Sequence, residues 1–391
     1  MHRSHAGAII QNEEVRLIPV AGLDSDDLSA WKALAREALE PNLFFEPEFV
    51  LPLAAARPQD DVHLLVVKSA KRWIVCMPTV IRWGWRKIPV PVLATWLSQY
   101  TFLGTPLVAP EGTGPLLRLL EEVHKTRSGL LVFEWIAADG VVSSLLRQAL
   151  ARYDCPVVDW ERFDRAAVRR DSRSSAKISS KHRSELGRRR RSLEREYGAQ
   201  LRLVDRAGDP CAVEEFLALE AAGWKGVAGT AIASRDSDAK FFREVCATLA
   251  SEGRMQLLSL VGTRTLAMQC NFISGDVLFG FRSCYDEALA RYSPGALLLM
   301  DAVSHFHADQ RATFDSCTAP DNDLCNRLMQ DRRALETIII GRPDALGSAL
   351  TVTMKTAEVM RRARGSMRDA GWIATARRWM HGVRSPQAIG E

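Results

Sequence analysis

The sequence predicts an α/β protein in which mixed, mostly antiparallel sheets are flanked by helices. Its 391 residues are 47% hydrophobic and 25% charged, which is typical of globular proteins and long enough for two domains. Strand-like and helix-like segments alternate on both sides of a basic stretch near residue 170. The second side also contains three consecutive apolar runs separated by Gly-Thr and Gly-Asp turns, a pattern that favours antiparallel strands.

The first predicted domain covers residues 1–165. Its strand-like runs are EEVRLIPV, DVHLLVVKS, RWIVCMPTVIRW, GLLVFEWI and CPVVDW. Helical periodicity is present in SDDLSAWKALAREAL, which opens on an Asp/Ser cap, and in GPLLRLLEEVHK and VVSSLLRQALARY.

The second predicted domain covers residues 166–345 and has the same rhythm without a residue-level repeat. SELGRRRRSLEREYG is predicted to be a helix that ends at Gly198, followed by the strand AQLRLVDR. Two helices then precede the three antiparallel strands. SPGALLLMDAVSHFHAD is a helix with Pro294 in its first turn, and ATFDSC and LETIII are late strands.

The formal charge of +5 is concentrated in two segments. Residues 165–195 carry twelve Lys and Arg against three acidic residues, and they look like a linker followed by a surface helix. Aromatic residues are sparse there, and no nucleic-acid motif follows the four arginines at 188–191. We favour a solvated helix with Leu186, Leu193 and Tyr197 on its buried stripe. Contact with an anionic substrate is the second interpretation, and transfer RNA the third.

The segment 346–391 is predicted to be a basic, amphipathic, helical tail. Its apolar face is formed by Trp372, Ala376, Trp379, Met380 and Val383. Such a helix can lie on an anionic membrane, although docking on its own domain is the more ordinary outcome. No apolar run approaches the roughly 20 residues of a membrane span, and the N-terminus lacks the apolar core of a secretory signal. We therefore expect a cytoplasmic protein.

The cysteines and histidines do not predict a metal site. Eight cysteines are scattered without a C-x-x-C pair, mostly among apolar residues, which favours reduced thiols. His305 and His307 are two residues apart in a predicted helix, where their side chains do not face each other.

The segment GWKGVAGTA, residues 223–231, contains three glycines and a lysine but is not a nucleotide-binding loop. Lys225 lies between the first two glycines, and no strand leads directly into the segment. We interpret it as a substrate loop between two helices. Gly226 and Gly229 would let its backbone approach a ligand, and Lys225 and Thr230 would donate hydrogen bonds.

Two further features have binding chemistry. Arg282 lies within the apolar run FGFRSC, where a buried guanidinium needs partners, so it is the leading candidate for binding a phosphate or carboxylate. RYSPGA places Ser293, Pro294 and Gly295 at a helix start, where N–H groups and the helix dipole attract anions. Ordinary helix capping explains the same three residues.

Four motifs occur in order between residues 180 and 340: GRRRRSLEREYG, LEAAGWKGVAGTA, SCYDEALARYSPGALLL and FDSCTAPDNDLCNRLMQDRR. Together they resemble the GNAT-type acyltransferases named after the CelD/BcsL cellulose-biosynthesis proteins, which are related to the FemAB-like tandem acyltransferases. The resemblance covers the second half well and the first half only in its order of elements. It implies a tandem GNAT-like fold and an acyl-CoA-dependent N-acyltransferase with a role in polysaccharide or envelope biosynthesis.

The resemblance also implies roles for particular residues. The CoA pyrophosphate would lie at the helix start formed by Tyr292, Ser293, Pro294, Gly295 and Ala296, with Arg291 supplying positive charge. This segment has fewer glycines than the usual GNAT pattern, which leaves another activated acyl donor open.

Direct attack of an amine on a thioester requires proton transfer. The candidate bases or acceptor ligands are Glu220, Asp286 and Asp315, and Tyr285 could return a proton to the leaving thiolate. The expected acceptor is an amine on a small molecule or glycan precursor. The alternatives are a transferase that uses aminoacyl-tRNA and a non-catalytic accessory protein that binds a synthase or a sugar nucleotide.

Overall fold

The computed structural model describes residues 13–365 except 87, 112, 124–127, 172–177 and 309. Within this part of the chain, thirteen strands form one sheet and eleven α-helices flank it. The strands are β1 (Glu13–Pro19), β2 (His63–Ser69), β3 (Arg72–Trp85), β4 (Ile88–Thr95), β5 (Leu107–Val108), β6 (Leu130–Ala137), β7 (Val157–Arg169), β8 (Arg202–Asp205), β9 (Met255–Val261), β10 (Thr265–Ser274), β11 (Val277–Tyr285), β12 (Thr313–Asp315) and β13 (Asp331–Gly341). The helices are α1 (Ser25–Glu37), α2 (Pro47–Ala56), α3 (Gly114–Val123), α4 (Val141–Tyr153), α5 (Ser180–Tyr197), α6 (Pro210–Ala222), α7 (Trp224–Val227), α8 (Asp236–Ser251), α9 (Pro294–Ala308), α10 (Asp323–Leu328) and α11 (Ala345–Gly365).

The sheet is mixed and mostly antiparallel, as the sequence predicted. Its strand order is β1-β2-β3-β4-β6-β13-β7-β12-β11-β10-β9-β8, and β5 pairs with β3. Among the described strands, the only parallel pairs are β4 with β6 and β11 with β12. The same arrangement, a parallel pair after a run of antiparallel strands, therefore occurs once in each half.

The two halves are joined within the sheet. β13 follows the helices of the second half, yet it lies between β6 and β7 and pairs with both. β7 in turn pairs with β12 of the second half. The predicted domain boundary between residues 165 and 166 lies inside β7, and the division into domains stays a prediction.

The apolar core is also shared between the halves. Phe44, which precedes α2, contacts Phe279 of β11 with ring centroids 5.4 Å apart. Phe49 of α2 contacts Phe241 of α8 at 5.3 Å. Edge-on aromatic pairs of this kind contribute more than their buried area alone. The elements predicted separately for each half thus pack into one core.

The basic segment is only partly the surface helix that the sequence predicts. α5 ends at Gly198, whose φ of 61° is left-handed, and it buries Leu186 and Leu193. Arg190 pairs with Asp301 of α9 at 2.5 Å, so part of the arginine run packs on the protein. The start of the segment is not a linker, because residues 165–169 lie in β7 and Arg165 is fully buried.

α11 covers the sheet at β7 and β13, and its Arg361 donates to the Trp160 carbonyl at 3.0 Å. The residues of the predicted tail beyond 365, including Trp372 and Trp379, lie outside the described part. Tail docking and membrane contact therefore stay predictions. Of the helices within the described ranges, none is long and apolar enough to cross a membrane.

Glu161 of β7 lies beside this covered face, and burial raises its pKa from 4.5 to about 7 against the opposing charges of Arg86 and Arg361. A raised pKa in the folded state means that the protonated form favours folding. The contribution of protonated Glu161 to the free energy of unfolding is complete below the pKa of the unfolded state and is lost as the pH rises through about 7. We expect the free energy of unfolding to fall by about 3 kcal/mol from this group between pH 4.5 and 8.

Urea titrations of the wild type and Glu161→Gln across this pH range measure the effect. The variant should have a flatter profile, whereas Glu244→Gln on the exposed face of α8 should follow the wild type. Parallel profiles for Glu161→Gln and the wild type would contradict the prediction.

Candidate functional site

A cleft opens where β11 and β12 part. The two strands pair in parallel over only three residues each, and β11 continues beyond Phe279 to Tyr285. Phe281 is an extra residue in β11, because Gly280 opposes Asn271 and Arg282 opposes Cys270. Such a bulge bends the strand and redirects its side chains. The free edge of β11 thereby becomes one wall of the cleft.

The other walls come from α6 and α7, the start of α9 and the segment after β12. Of the residues selected from the sequence, the cleft is lined by Glu220, Lys225, Arg282, Tyr285 and Gly295. Polar lining residues that the sequence did not indicate are Gln269, Ser283, Glu287, Ser316, Thr318 and Asn322. Phe102 of the first half also lines it. Both halves therefore build this cleft.

Glu220 and Lys225 form a buried ion pair at the cleft wall. The Lys225 ammonium donates to Glu220 Oε1 at 2.9 Å and to the Ser283 carbonyl at 2.6 Å. Glu220 Oε2 accepts from the Ile232 N–H at 2.7 Å. Burial acts to raise the pKa of Glu220, but the charges of Lys225 and Arg282 outweigh it and lower that pKa. Glu220 is thus a structural anion rather than a carboxylate free to act as a base.

Lys225 is less basic than an ordinary lysine. Burial lowers its pKa, and the nearby Arg282 charge acts in the same direction, against the carboxylate of Glu220. The side chain fixes the strand end through the Ser283 carbonyl while it still borders the cleft.

The predicted substrate loop is a short helix followed by a turn, and most of it turns away from the cleft. Gly226 and Gly229 do not line the cleft, and neither does Thr230, whose hydroxyl donates to the Lys225 carbonyl at 3.3 Å. A Cβ on Gly226 would lie 1.8 Å from the Ala221 carbonyl oxygen. This glycine therefore permits α7 to pack on α6, and the ligand-approach role expected for it stays a prediction.

A pair of glycine substitutions separates these roles. Gly226→Ala is expected to lower the free energy of unfolding by about 3 kcal/mol, because backbone must move to admit the methyl group. Gly229 has a φ of 66° with open space around it, so Gly229→Ala should cost only about 1 kcal/mol. Urea denaturation of both variants measures the difference. Equal losses would contradict the assignment of Gly226 to helix packing.

The predicted pyrophosphate segment is only partly at the cleft. Gly295 lines it, and a Cβ there would lie 3.3 Å from the Tyr285 ring. Ser293 has a left-handed φ of 54° directly before α9 and accepts a hydrogen bond from Arg189. Pro294 and Ala296 are buried in the first turn of α9.

Arg291 and Tyr292 point elsewhere. Both contact the carboxylate of Glu196 at the end of α5, with an Arg291–Glu196 distance of 2.8 Å. A positive charge at the α9 start comes instead from Arg189 of α5, which bonds Ser293 and belongs to the arginine run for which contact with an anionic substrate was the second interpretation.

Two of the proposed acidic catalytic residues have structural positions outside the cleft. Asp286 accepts from the Ala288 N–H at 3.0 Å and pairs with Arg264. Asp315 is fully buried between Arg165 and Arg333, at 2.5 and 2.9 Å. Burial acts to raise the pKa of Asp315, but the two guanidiniums lower it, so it stays charged in its ion pairs.

Tyr285 and Glu287 are the ionisable groups at the cleft rim. Burial, followed by the charge of Glu287, raises the pKa of Tyr285 and keeps the phenol protonated. Glu287 is exposed and accepts from the Trp224 N–H at 2.5 Å. The signal that selected Asp286, an acidic residue just after an apolar strand, applies equally to Glu287 one position later.

The cleft thiols are not activated nucleophiles. Cys284, Cys317 and Cys325 line it, and burial raises the pKa of each thiol. Across the described ranges, the His, Cys, Asp and Glu side chains form no group that could hold a metal ion.

Residues 180–323 match the family model of an acetyltransferase (GNAT) domain. This segment contains β11, β12, the start of α9 and both members of the Glu220–Lys225 pair. The match thus covers most of the residues that line the cleft, and it supports an acyltransferase.

Solved structures of similar fold span most of the chain. FemX has a TM-score of 0.53 at 9% identity over 86% of this chain and 100% of its own. A conserved protein of unknown function from Bacteroides thetaiotaomicron VPI-5482 has a TM-score of 0.51 at 12% identity over 84% of this chain and 100% of its own. A tandem GNAT protein from the clavulanic acid biosynthesis pathway has a TM-score of 0.41 at 13% identity over 85% of this chain and 99% of its own. No curated protein matches the sequence.

The two likenesses with TM-scores above 0.5, both at low identity, show the fold. The predicted tandem GNAT-like α/β architecture is confirmed. The narrower resemblance to the CelD/BcsL proteins stays a prediction.

Proposed function

We propose that the protein is an acyl-CoA-dependent N-acyltransferase whose donor and acceptor meet in the cleft between β11 and β12. The observation that carries the proposal is the free edge of β11 beyond Phe279, which lies beside the start of α9 within the segment that matches the GNAT model. A sheet edge can bind an extended amide chain and a helix start can bind phosphates, so the two features side by side suit an acyl-CoA donor.

The cleft suits an extended donor with amide groups and phosphates. Apart from the Ser283 carbonyl, which accepts from Lys225, the backbone of β11 that lacks a β12 partner can hydrogen-bond an extended amide chain in the way that a sheet edge accepts an added strand. At the start of α9, the helix dipole and Arg189 favour phosphate groups. Gly295 has no side chain, and a Cβ there would lie only 3.3 Å from the Tyr285 ring, so a larger residue would narrow this end of the cleft.

The chemistry assigned to the cleft is direct transfer. The amine nitrogen attacks the thioester carbonyl, the N–C bond forms, and the C–S bond breaks to release a thiol. Glu287 accepts the proton lost by the attacking amine, and Tyr285 donates a proton to the departing sulfur. A protonated phenol is the form that the raised pKa of Tyr285 maintains at neutral pH.

A panel of acyl-CoAs, assayed by thiol release with and without amine acceptors, tests this function. We expect acceptor-dependent thiol release and a thermal shift with at least one acyl-CoA. Glu287→Gln should lower kcat/KM by about 100-fold or more, as removal of a general base does. Asp286→Asn, one residue away but outside the cleft, is the matched control and should stay within about threefold.

Other outcomes identify the alternatives. No thermal shift and no thiol release with any acyl-CoA would refute acyl-CoA as donor. Copurifying RNA would then favour aminoacyl-tRNA as donor, and a retained protein partner would favour the accessory role.

The acceptor panel also addresses the biological role. We propose an amine on a glycan precursor as one acceptor class, in line with the motif resemblance to cellulose-biosynthesis proteins. Amino sugars and their nucleotide derivatives therefore belong in the panel beside amino acids and simple amines.

A further inference from the structure

Arg282 lines the cleft with a charged side chain that makes no hydrogen bond to the described residues. Its side chain is 11% exposed, and its Nε is buried without a hydrogen-bond partner. The nearest carboxylate oxygen, Oε1 of Glu220, is 4.0 Å from that Nε, which is too far for a hydrogen bond. Within the described ranges, no hydrogen bond from the rest of the guanidinium is found either. Leaving a buried donor unused is costly, so the position suits a ligand that accepts from the guanidinium.

The guanidinium is nevertheless held in place. Its Cζ lies 5.5 Å from the centroid of the Tyr100 ring, within range of a cation–π contact. The Tyr100 hydroxyl donates to Asp238 at 3.0 Å, and Asp238 pairs with Arg57 at 2.5 Å. Tyr100 belongs to the first half of the chain. The first half therefore orients a binding group in the cleft of the second.

The charges around Arg282 leave one positive charge unbalanced. The carboxylate of Glu220 neutralises only one of its two cationic neighbours, Lys225 and Arg282. The carboxylate of Asp238 neutralises Arg57. One monovalent anion would neutralise the cluster, whereas a phosphate monoester brings about −1.5 to −2. A planar carboxylate also matches the fork of a guanidinium in a bidentate contact.

We propose that the acyl acceptor carries a carboxylate in addition to its amine, and that Arg282 binds this carboxylate. This inference rests on the proposed function only in identifying the bound carboxylate as part of the acyl acceptor. The anion site itself is a property of the Arg282 position and can be tested without any donor.

The binding test uses acetate as the probe and the Nε–H resonance of Arg282 in ¹H–¹⁵N spectra as the readout, assigned with Arg282→Lys. Acetate at constant ionic strength should shift this resonance saturably, and chloride should not. Arg243, an exposed arginine that pairs with Glu214, is the internal control and should not respond. Absence of a saturable shift, or an equal response to chloride, would overturn the proposal.

The activity test uses acceptors in matched pairs, each amino acid beside its carboxamide. The wild type should prefer the free carboxylate by about 10- to 100-fold in kcat/KM, the range of a charge-assisted hydrogen-bond contact. Arg282→Gln should abolish this preference and leave the KM for the donor unchanged. Arg243→Gln should behave as the wild type. Equal use of both acceptors by the wild type, or an equal loss of donor binding in Arg282→Gln, would overturn the proposal.

Tyr100 provides a positioning test. Tyr100→Leu removes the ring and should reduce the acceptor preference through KM for the acceptor, whereas Tyr100→Phe retains the ring and most of the preference. Acetate binding at Arg282 with no turnover of any acyl-CoA would refute the donor assignment and leave the anion site standing.

Discussion

Replacement of Asp315 by alanine is expected to lower the free energy of unfolding by about 3–5 kcal/mol. The carboxylate is completely buried and bonds Arg165 through both oxygens, at 2.7 and 2.5 Å, and Arg333 at 2.9 Å. Its removal leaves the buried Arg165 and the partly buried Arg333 without their counter-ion, and such uncompensated charges are far more costly than the loss of the pair itself. Urea denaturation followed by circular dichroism measures the loss.

The matched control is Glu214→Ala. Glu214 makes a bidentate contact with Arg243 at 2.6 and 2.9 Å, but both side chains are about half exposed. Exposed pairs of this kind contribute about 0–1 kcal/mol. A similar, small loss for both variants would contradict the importance assigned to Asp315.

The same cluster predicts how the chain unfolds. Arg165 belongs to β7, Arg333 to β13, and Arg165 also donates to the Phe102 carbonyl at 2.5 Å. The cluster thus ties together three segments that are far apart in sequence. We expect the wild type to unfold in one cooperative transition. In Asp315→Ala, the two halves should begin to unfold in separate transitions.

The second large effect is expected at the Glu220–Lys225 pair. Glu220→Gln leaves Lys225 and Arg282 close together without a neutralising carboxylate, and it weakens the contact to the Ile232 N–H. We expect a loss of about 3 kcal/mol in stability and a loss of activity, since the cleft wall depends on this contact. Lys225→Met should be costly for the converse reason.

A double-mutant cycle tests the coupling. Glu220→Gln combined with Lys225→Met removes both charges and should recover at least about 1 kcal/mol relative to the sum of the single losses. The exposed Lys240–Glu244 pair of α8, 3.8 Å apart, is the control and should show coupling below about 0.5 kcal/mol. Additive losses at Glu220 and Lys225 would contradict the buried-pair interpretation.

Local patterns in the sequence predicted most of the elements but not how they combine. The strands β9, β10 and β11 and their turns follow from apolar runs and glycines, and α5 follows from its stripe and Gly198. The insertion of β13 next to β7 has no local signal, because strand pairing depends on partners more than 150 residues away. For the same reason Arg165, which is one basic residue among many in the segment 165–195, was not predicted to form a buried ion pair.

The candidate site was predicted in part for similar reasons. Arg282 was identified because a charged residue inside an apolar strand is unusual, and Lys225 because it lies among glycines. Tyr100 and Phe102 could not be found, since nothing in their neighbourhood indicates contact with β11. Asp315 has the sequence signature of a strand-end catalytic carboxylate, and only its three-dimensional neighbours show that its charge is used for packing.

The position of β13 has a consequence for biosynthesis. A ribosome that has released β6 and β7 still has to synthesise about 170 residues before the strand between them exists. During that interval two long strands expose unpaired edges, the feature that invites association between nascent chains. We therefore expect chaperone dependence and inclusion bodies to be most pronounced for truncations that end between residues 170 and 330, and release of the complete β13 to restore soluble yield.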